Sequence, residues 1–180
     1  MPTSTTVTQK HIALVSTGGT IEKTYNPLSG VLYNGVSVLD VMLGQLNLRG
    51  VKLDRVQLMN KDSLEMTTRD HELIALTIET MLGCHDGVVV VHGTDRLAES
   101  GEVCYAHLAR SGQLNGPVVF TGAMRPYELR STDALQNLTE ALTAVQLLSP
   151  GVYVTMHNQT LSFPGIIKDT ERLCFISTQT

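Results

Sequence analysis

Apolar and polar positions along this chain fall into blocks that predict strands and helices in turn. Residues 11–17 form an apolar run that ends in hydroxyl residues, and read as a first strand. Residues 51–60 alternate between apolar and polar, predicting a half-buried second strand. Gly87-Val88-Val89-Val90-Val91 and Pro117-Val118-Val119-Phe120 are unbroken and rich in β-branched residues, the pattern of parallel strands covered on both faces. Residues 151–156 make the last clear strand.

Between these runs the period changes to that of a helix. Ser37 is placed to cap a short helix with Val38, Val41, Met42 and Leu46 on its apolar side. Thr68 opens a clearer helix, with Asp70 and Glu72 in its first turn, Ile74, Ile78, Met81 and Leu82 on one face, and Gly83 as its stop. A third stripe runs through Leu97, Gly101, Cys104, Tyr105 and Leu108, ending near Gly112. Ser131 opens a fourth, with Leu135, Leu138, Leu142 and Val145 at helical spacing. Short β-like pieces around a Pro164-Gly165 turn follow residue 157. Strands alternating with helices predict a doubly wound, mostly parallel α/β sheet with helices on both faces.

The polar motifs sit where the strands should end. Thr20 follows the first strand, Asp62-Ser63 the second, Thr94-Asp95 the third and Gly122-Ala123 the fourth. In such sheets ligands bind beyond the carboxyl ends of the strands, so four polar strand ends on one edge predict a site there. The loop after the first strand, residues 24–35, is rich in Gly, Asn and Pro and carries Tyr25 and Tyr33, which suits a lid over that site.

Composition narrows the function without choosing one. The 180 residues suit one domain, expected over residues 11–180 behind a flexible tail of residues 1–10. A formal net charge of -4 excludes the basic field that nucleic-acid binding needs. No run approaches the length of a membrane span. Cys84, Cys104 and Cys174 are too few and too scattered for a disulfide framework or a zinc cluster, and no His-Glu-x-x-His spacing points to a metal. A reducing, cytoplasmic setting is expected.

Ser16-Thr17-Gly18-Gly19-Thr20-Ile21 reads equally as a tight turn or as a nucleophile loop, with Thr17 and Thr20 as candidates of equal standing. It lacks the Gly-Lys-Ser/Thr of a phosphate loop. Thr94, beside the carboxylate of Asp95, offers a second hydroxyl. A threonine hydroxyl needs a base, and no histidine stands out; His92, at the end of a buried strand, suits a structural role. Lys168 reads either as a surface side chain or, if desolvated, as the base.

Thr17-Gly18-Gly19-Thr20-Ile21 and Val91-His92-Gly93-Thr94-Asp95 resemble the two signatures of the bacterial-type L-asparaginase family. Asp62-Ser63-Leu64-Glu65-Met66-Thr67 and Gly122-Ala123-Met124-Arg125-Pro126, followed by Ser131, Asp133 and Asn137-Leu138, are similar to further family segments. The resemblance implies an amidohydrolase that converts L-asparagine to L-aspartate and ammonia, with no cofactor and no metal. By it Thr20 is the primary nucleophile. Thr94, Asp95 and Lys168 form a second triad, and Tyr25, rather than Tyr33, hydrogen-bonds Thr20. Gly19, Ser63, Glu65, Gly93, Asp95 and Ala123 line the substrate, the Ala123 carbonyl facing the departing nitrogen.

Two residues depart from the family pattern. Arg96 stands where a small hydroxyl residue is usual, and Leu64 where a polar one is common, which leaves the choice between asparagine and glutamine open. The chain also ends soon after Lys168, where family members continue into a smaller domain. A compact single-domain form is therefore expected, completed as a homo-oligomer, dimer or tetramer. A related amidase acting on another amide, or a non-catalytic amino-acid-binding module, are the alternative functions.

Overall fold

The structure is a computed structural model describing residues 9–179; most of the tail expected over residues 1–10 lies outside these. In chain order the elements are β1 (Lys10–Gly18), β2 (Thr24–Asn26), β3 (Val31–Tyr33), α1 (Leu39–Gly44), β4 (Val51–Lys61) and α2 (Thr68–Leu82). There follow β5 (Gly87–Val91), α3 (Leu97–Ser111), β6 (Pro117–Thr121), α4 (Ala134–Leu147), β7 (Gly151–Met156), β8 (Gln159–Ser162), β9 (Ile166–Asp169) and β10 (Cys174–Ser177). Lys10 is already a strand residue, paired with Val51.

Six strands form one sheet in the order β4-β1-β5-β6-β7-β8, parallel throughout except for β8. The two-residue period of each buried strand assigns its side chains to the two faces. Ala13, Val15, Val88, Val90, Val118, Phe120, Val152 and Val154 join α2 and α3 in one core. Ile12, Leu14, Val89, Val91 and Val119 join α1 and α4 in the other. The doubly wound, mostly parallel fold expected from the sequence is the one observed. Among the described residues no helix is long and apolar enough to cross a membrane.

Several local expectations change. Residues 24–33 are not a plain loop, because β2 and β3 pair as a small antiparallel hairpin. Its residues are mostly exposed, so no apolar alternation marks it. The first helix buries Leu39 and Met42 and leaves Val41 exposed. Ser37 does not serve as its N-cap residue, a position held by Val38; the Ser37 hydroxyl donates to Glu22. Helix α4 begins at Ala134, not Ser131, because Asp133 is occupied in holding the loop before it.

The position of the site follows from strand order. Chain progress reverses at β1, which has β4 on one side and β5 on the other, so the switch point lies between the carboxyl ends of β1 and β5. The small β9–β10 hairpin rests against α3 and carries Lys168.

Candidate active site

Two glycine segments bring the ends of β1 and β5 together. The β1–β4 register shifts between Ser16 and Gly18, where Gly18 (φ 96°) and Gly19 (φ 85°) take a backbone conformation that side-chain-bearing residues rarely adopt. Gly19 then meets Gly93 directly: a Cβ on Gly19 would lie 2.3 Å from the Gly93 Cα. A Cβ on Gly122 would lie 2.3 Å from the His92 carbonyl oxygen and 3.3 Å from Thr94 Cγ2. Three strand ends thus converge through positions with no side chain. The end of β4 joins them, since a Cβ on Gly18 would lie 2.6 Å from the Lys61 nitrogen, so the ends of β1, β4, β5 and β6 lie together as expected.

The same geometry separates the two hydroxyls left equal by the sequence. Thr17 is buried, and its Oγ1 donates to the Val91 carbonyl at 3.1 Å, so it belongs to the sheet. Thr20 stands past the glycines, partly exposed, at the start of a short 3₁₀ turn, Thr20–Glu22.

Lys168 arrives from the C-terminal hairpin. Its Nζ donates to Thr94 Oγ1 at 2.9 Å and to Asp95 Oδ1 at 2.6 Å. The lysine side chain is largely buried while that of Asp95 is 41% exposed, so the pair lies at the mouth of the site. Of the two readings of Lys168, a free surface side chain is excluded.

Ser63 lies at the end of β4, against Gly93: a Cβ on that glycine would lie 2.6 Å from Ser63 Oγ. This hydroxyl is buried and makes no hydrogen bond among the described residues. A buried polar atom without a partner is costly, which suits a group that a ligand satisfies. Asp62 fixes the turn by accepting from the Leu64 N–H and from Lys23 Nζ at 2.6 Å, which holds its carboxyl below the usual range.

Residues 11–171 match the family model described as "Asparaginase, N-terminal". The chain belongs to the asparaginase N-terminal family. It is 29% identical over 153 residues to the L-asparaginase of Thermococcus kodakarensis, covering 83% of this chain and 45% of that protein. It is 32% identical over 153 residues to a glutamyl-tRNA(Gln) amidotransferase subunit of Haloquadratum walsbyi, covering 83% of this chain and 33% of that one. The solved thermostable L-asparaginase from Thermococcus kodakarensis superposes with a TM-score of 0.80 at 27% identity, over 93% of this chain and 51% of that one. The chain thus spans about half the length, or less, of these relatives.

Other residues that the resemblance implies for the site are placed differently. Tyr25 is 53% exposed on the β2–β3 hairpin; its backbone N–H donates to Glu128, and its hydroxyl makes no hydrogen bond among the described residues. The structure therefore does not bring it onto Thr20. Tyr33, also exposed, folds over Gly35. Glu65 points outward, and Leu64 is exposed. Ala123 is buried in a loop whose Gly122 carbonyl accepts from Asn137 and whose Met124 and Arg125 N–H groups donate to Asp133. The unusual Arg96 has a local use: its guanidinium donates to the Met66 carbonyl at 2.9 Å, fastening the Ser63 turn to α3.

Two arrangements escaped the sequence. Glu22, just past Thr20, is buried and takes the Ser37 hydroxyl; burial raises its carboxyl pKa against that bond and the Arg55 charge. It anchors the start of α1 beside the site. The second is a buried chain of donors behind Gly93. The Gly93 carbonyl can only accept, so His92 Nδ1, 2.8 Å away, carries the proton. Its Nε2 then accepts from Ser100 Oγ, which in turn accepts from His71 Nδ1 at 2.6 Å. Burial pushes the His92 pKa down to about 4. The structural role read for His92 is the one observed, and the chain steadies the peptide that precedes Thr94.

Proposed function

We propose that this chain is an amidohydrolase that hydrolyses L-asparagine to L-aspartate and ammonia through a threonine acyl-enzyme. The observation that carries the reading is the hydrogen-bonded Thr94–Lys168–Asp95 cluster beside the loop that presents Thr20. In the reaction Thr20 Oγ1 attacks the side-chain amide carbon. A new C–O bond forms, the C–N bond breaks, and the hydroxyl proton leaves on the departing ammonia. Water then cleaves the ester, releasing aspartate and restoring the threonine.

A threonine hydroxyl and a water are both weak nucleophiles at neutral pH, and each must lose a proton as it attacks. Thr94, Lys168 and Asp95 accept and return that proton, the carboxylate balancing the lysine's charge. Asp95 and the unpartnered Ser63 hydroxyl hold the α-amino and α-carboxylate groups, with Glu65 at the outer rim. Gly19 and Gly93 let the substrate reach the backbone, and the Ala123 carbonyl faces the amide nitrogen. Tyr25 reaches Thr20 when the β2–β3 hairpin closes. The chain acts in the cytoplasm as a homo-oligomer, without a cofactor.

The amidotransferase relative supports a second reading, in which the same machinery works on another amide. Ammonia release from asparagine and from glutamine, compared between wild type and Thr20→Ala, tests both. Release from asparagine, abolished by the substitution, is expected. Release from glutamine alone would favour the second reading. Aspartate binding with no release from either amide would make the chain a binding module.

A further inference from the structure

We propose that His11, Asp54 and His85 form a binding site for a divalent transition-metal ion of the zinc type, at the end of the sheet opposite the strand-end loops. The three residues come from the start of β1, from β4 and from the turn between α2 and β5. His11 and Gly18 are seven residues apart along β1, placing the cluster about 23 Å from the glycine segment. No motif joins the three in sequence.

Asp54 Oδ2 lies 2.9 Å from His11 Nε2 and 3.3 Å from His85 Nε2, and the three ligand atoms all fall within 4.8 Å of one another. Donors held about 2.0–2.1 Å from one ion lie about 2.9 Å apart at a right angle and about 3.4 Å apart at the tetrahedral angle. Both nitrogen–oxygen separations match that spacing.

The tautomer of His85 supplies the second argument. Its Nδ1 lies 3.0 Å from the Met81 carbonyl oxygen, which can only accept, so Nδ1 carries the proton. A neutral His85 therefore presents the lone pair of Nε2 to a carboxylate oxygen, acceptor against acceptor. A cation between them, a second ring proton or a metal ion, makes that contact favourable. The Met81 carbonyl is the backbone partner that typically orients a metal-ligating histidine. The His11 and His85 rings lie 4.3 Å apart, centroid to centroid, close enough to share one ion. Two imidazoles and a carboxylate suit zinc, nickel, copper or cobalt rather than magnesium or calcium. The Asp54 side chain is half exposed, leaving water access to the remaining coordination positions.

An ion here would fasten β1, β4 and the α2–β5 turn together and stabilise the fold without touching the amide chemistry. The test uses untagged protein stripped with EDTA and titrated with zinc chloride by calorimetry, with cobalt(II) absorption as an independent readout. One ion per chain and a raised melting temperature are expected. Asp54→Asn and His85→Gln should each weaken binding by at least about tenfold, and His11→Gln, at the more exposed ring, gives a loss that leaves buried His85 in place. Cys84→Ser should retain binding. No saturable zinc binding in the wild type, binding that survives both Asp54→Asn and His85→Gln, or binding lost only in Cys84→Ser would each overturn the proposal.

Discussion

Phe175 stands directly opposite Lys168 across the β9–β10 hairpin, its ring in the core while the lysine reaches Thr94 and Asp95. Paired residues of an antiparallel ribbon share a face, so the buried ring anchors the strand that aims the lysine. Lys168→Met keeps that anchor and is expected to lower ammonia release from asparagine by about 10²–10⁴-fold with little change in melting temperature. Phe175→Ala is expected to lose about 3–5 kcal/mol of stability and activity with it. Wild-type turnover in Lys168→Met would remove the lysine from the chemistry.

A second anchor is Glu102 on α3. One carboxylate oxygen accepts from the Gly165 N–H at 2.6 Å and the Ile166 N–H at 3.1 Å, fixing the entry to β9. Glu102→Ala leaves two backbone donors without their partner, at a cost of about 1–3 kcal/mol. Turnover should fall while asparagine still binds, because Glu102 touches the lysine's strand and not the substrate pocket. Steady-state kinetics separate the two: a raised KM at unchanged kcat would contradict this role.

Ser63 predicts the reverse. Its hydroxyl is buried without a protein partner among the described residues, so Ser63→Ala removes a cost rather than a bond, and the melting temperature should hold or rise. The KM for asparagine should increase about tenfold or more, the value of one lost hydrogen bond to a charged group. A destabilised Ser63→Ala with unchanged KM would make the hydroxyl structural.

The Gly19–Gly93 contact leaves no room for a methyl group. Gly19→Ala places a carbon 2.3 Å from the partner backbone at a φ of 85°, and should abolish activity and destabilise the fold. Gly44→Ala, at the end of α1 with open space around it, is the matched control and should be neutral or slightly stabilising. Thermal melts of the two variants beside wild type decide the matter.

Acid should destabilise the protein in two stages. Burial lowers the His92 pKa from 6.5 to about 4 and lowers that of His71 as well. The unfolded chain therefore takes up these protons first, and stability falls as pH drops from about 6.5 towards 4. Asp70 is held at about 2 by Lys61, against 3.8 when unperturbed, so its contribution persists above that value and disappears between about 4 and 2. Urea midpoints from pH 7.5 to 3 measure both stages, and His92→Gln should flatten the first. Midpoints constant between pH 6.5 and 4.5 would rule out buried neutral imidazoles.

Where the chain is buried on both sides, its sequence is explicit. Val88 to Val91 and Val118 to Phe120 could only be central strands, and the glycines and hydroxyls after them marked the candidate site because regular structure has no use for them there. Residue type alone leaves Lys168 ambiguous; its bonds to Thr94 and Asp95 rule out a free surface side chain. What stayed hidden has one physical cause: side chains far apart in sequence compete for the same partners. Ser37 gives its hydroxyl proton to Glu22 and keeps only a long 3.4 Å bond from the Leu39 N–H, and Asp133 spends its oxygens on Met124 and Arg125. The His92–Ser100–His71 chain and the His11–Asp54–His85 cluster join residues that no local spacing relates. The β2–β3 hairpin leaves no mark in the sequence because exposed strands need no hydrophobic period.

The hairpin that carries Lys168 also has a kinetic meaning. The lysine lies 74 residues beyond Thr94 and docks on α3 outside the main sheet, which is complete without β9 and β10. Such an appendage is expected to open at less cost than unfolding the whole. Loss of activity under mild denaturant should therefore run ahead of the loss of sheet signal, and amide exchange at Ile167 and Lys168 should outpace that at Val89 and Val90. Catalytic competence would then report on the docking of the last strands, and not on the integrity of the sheet beneath them.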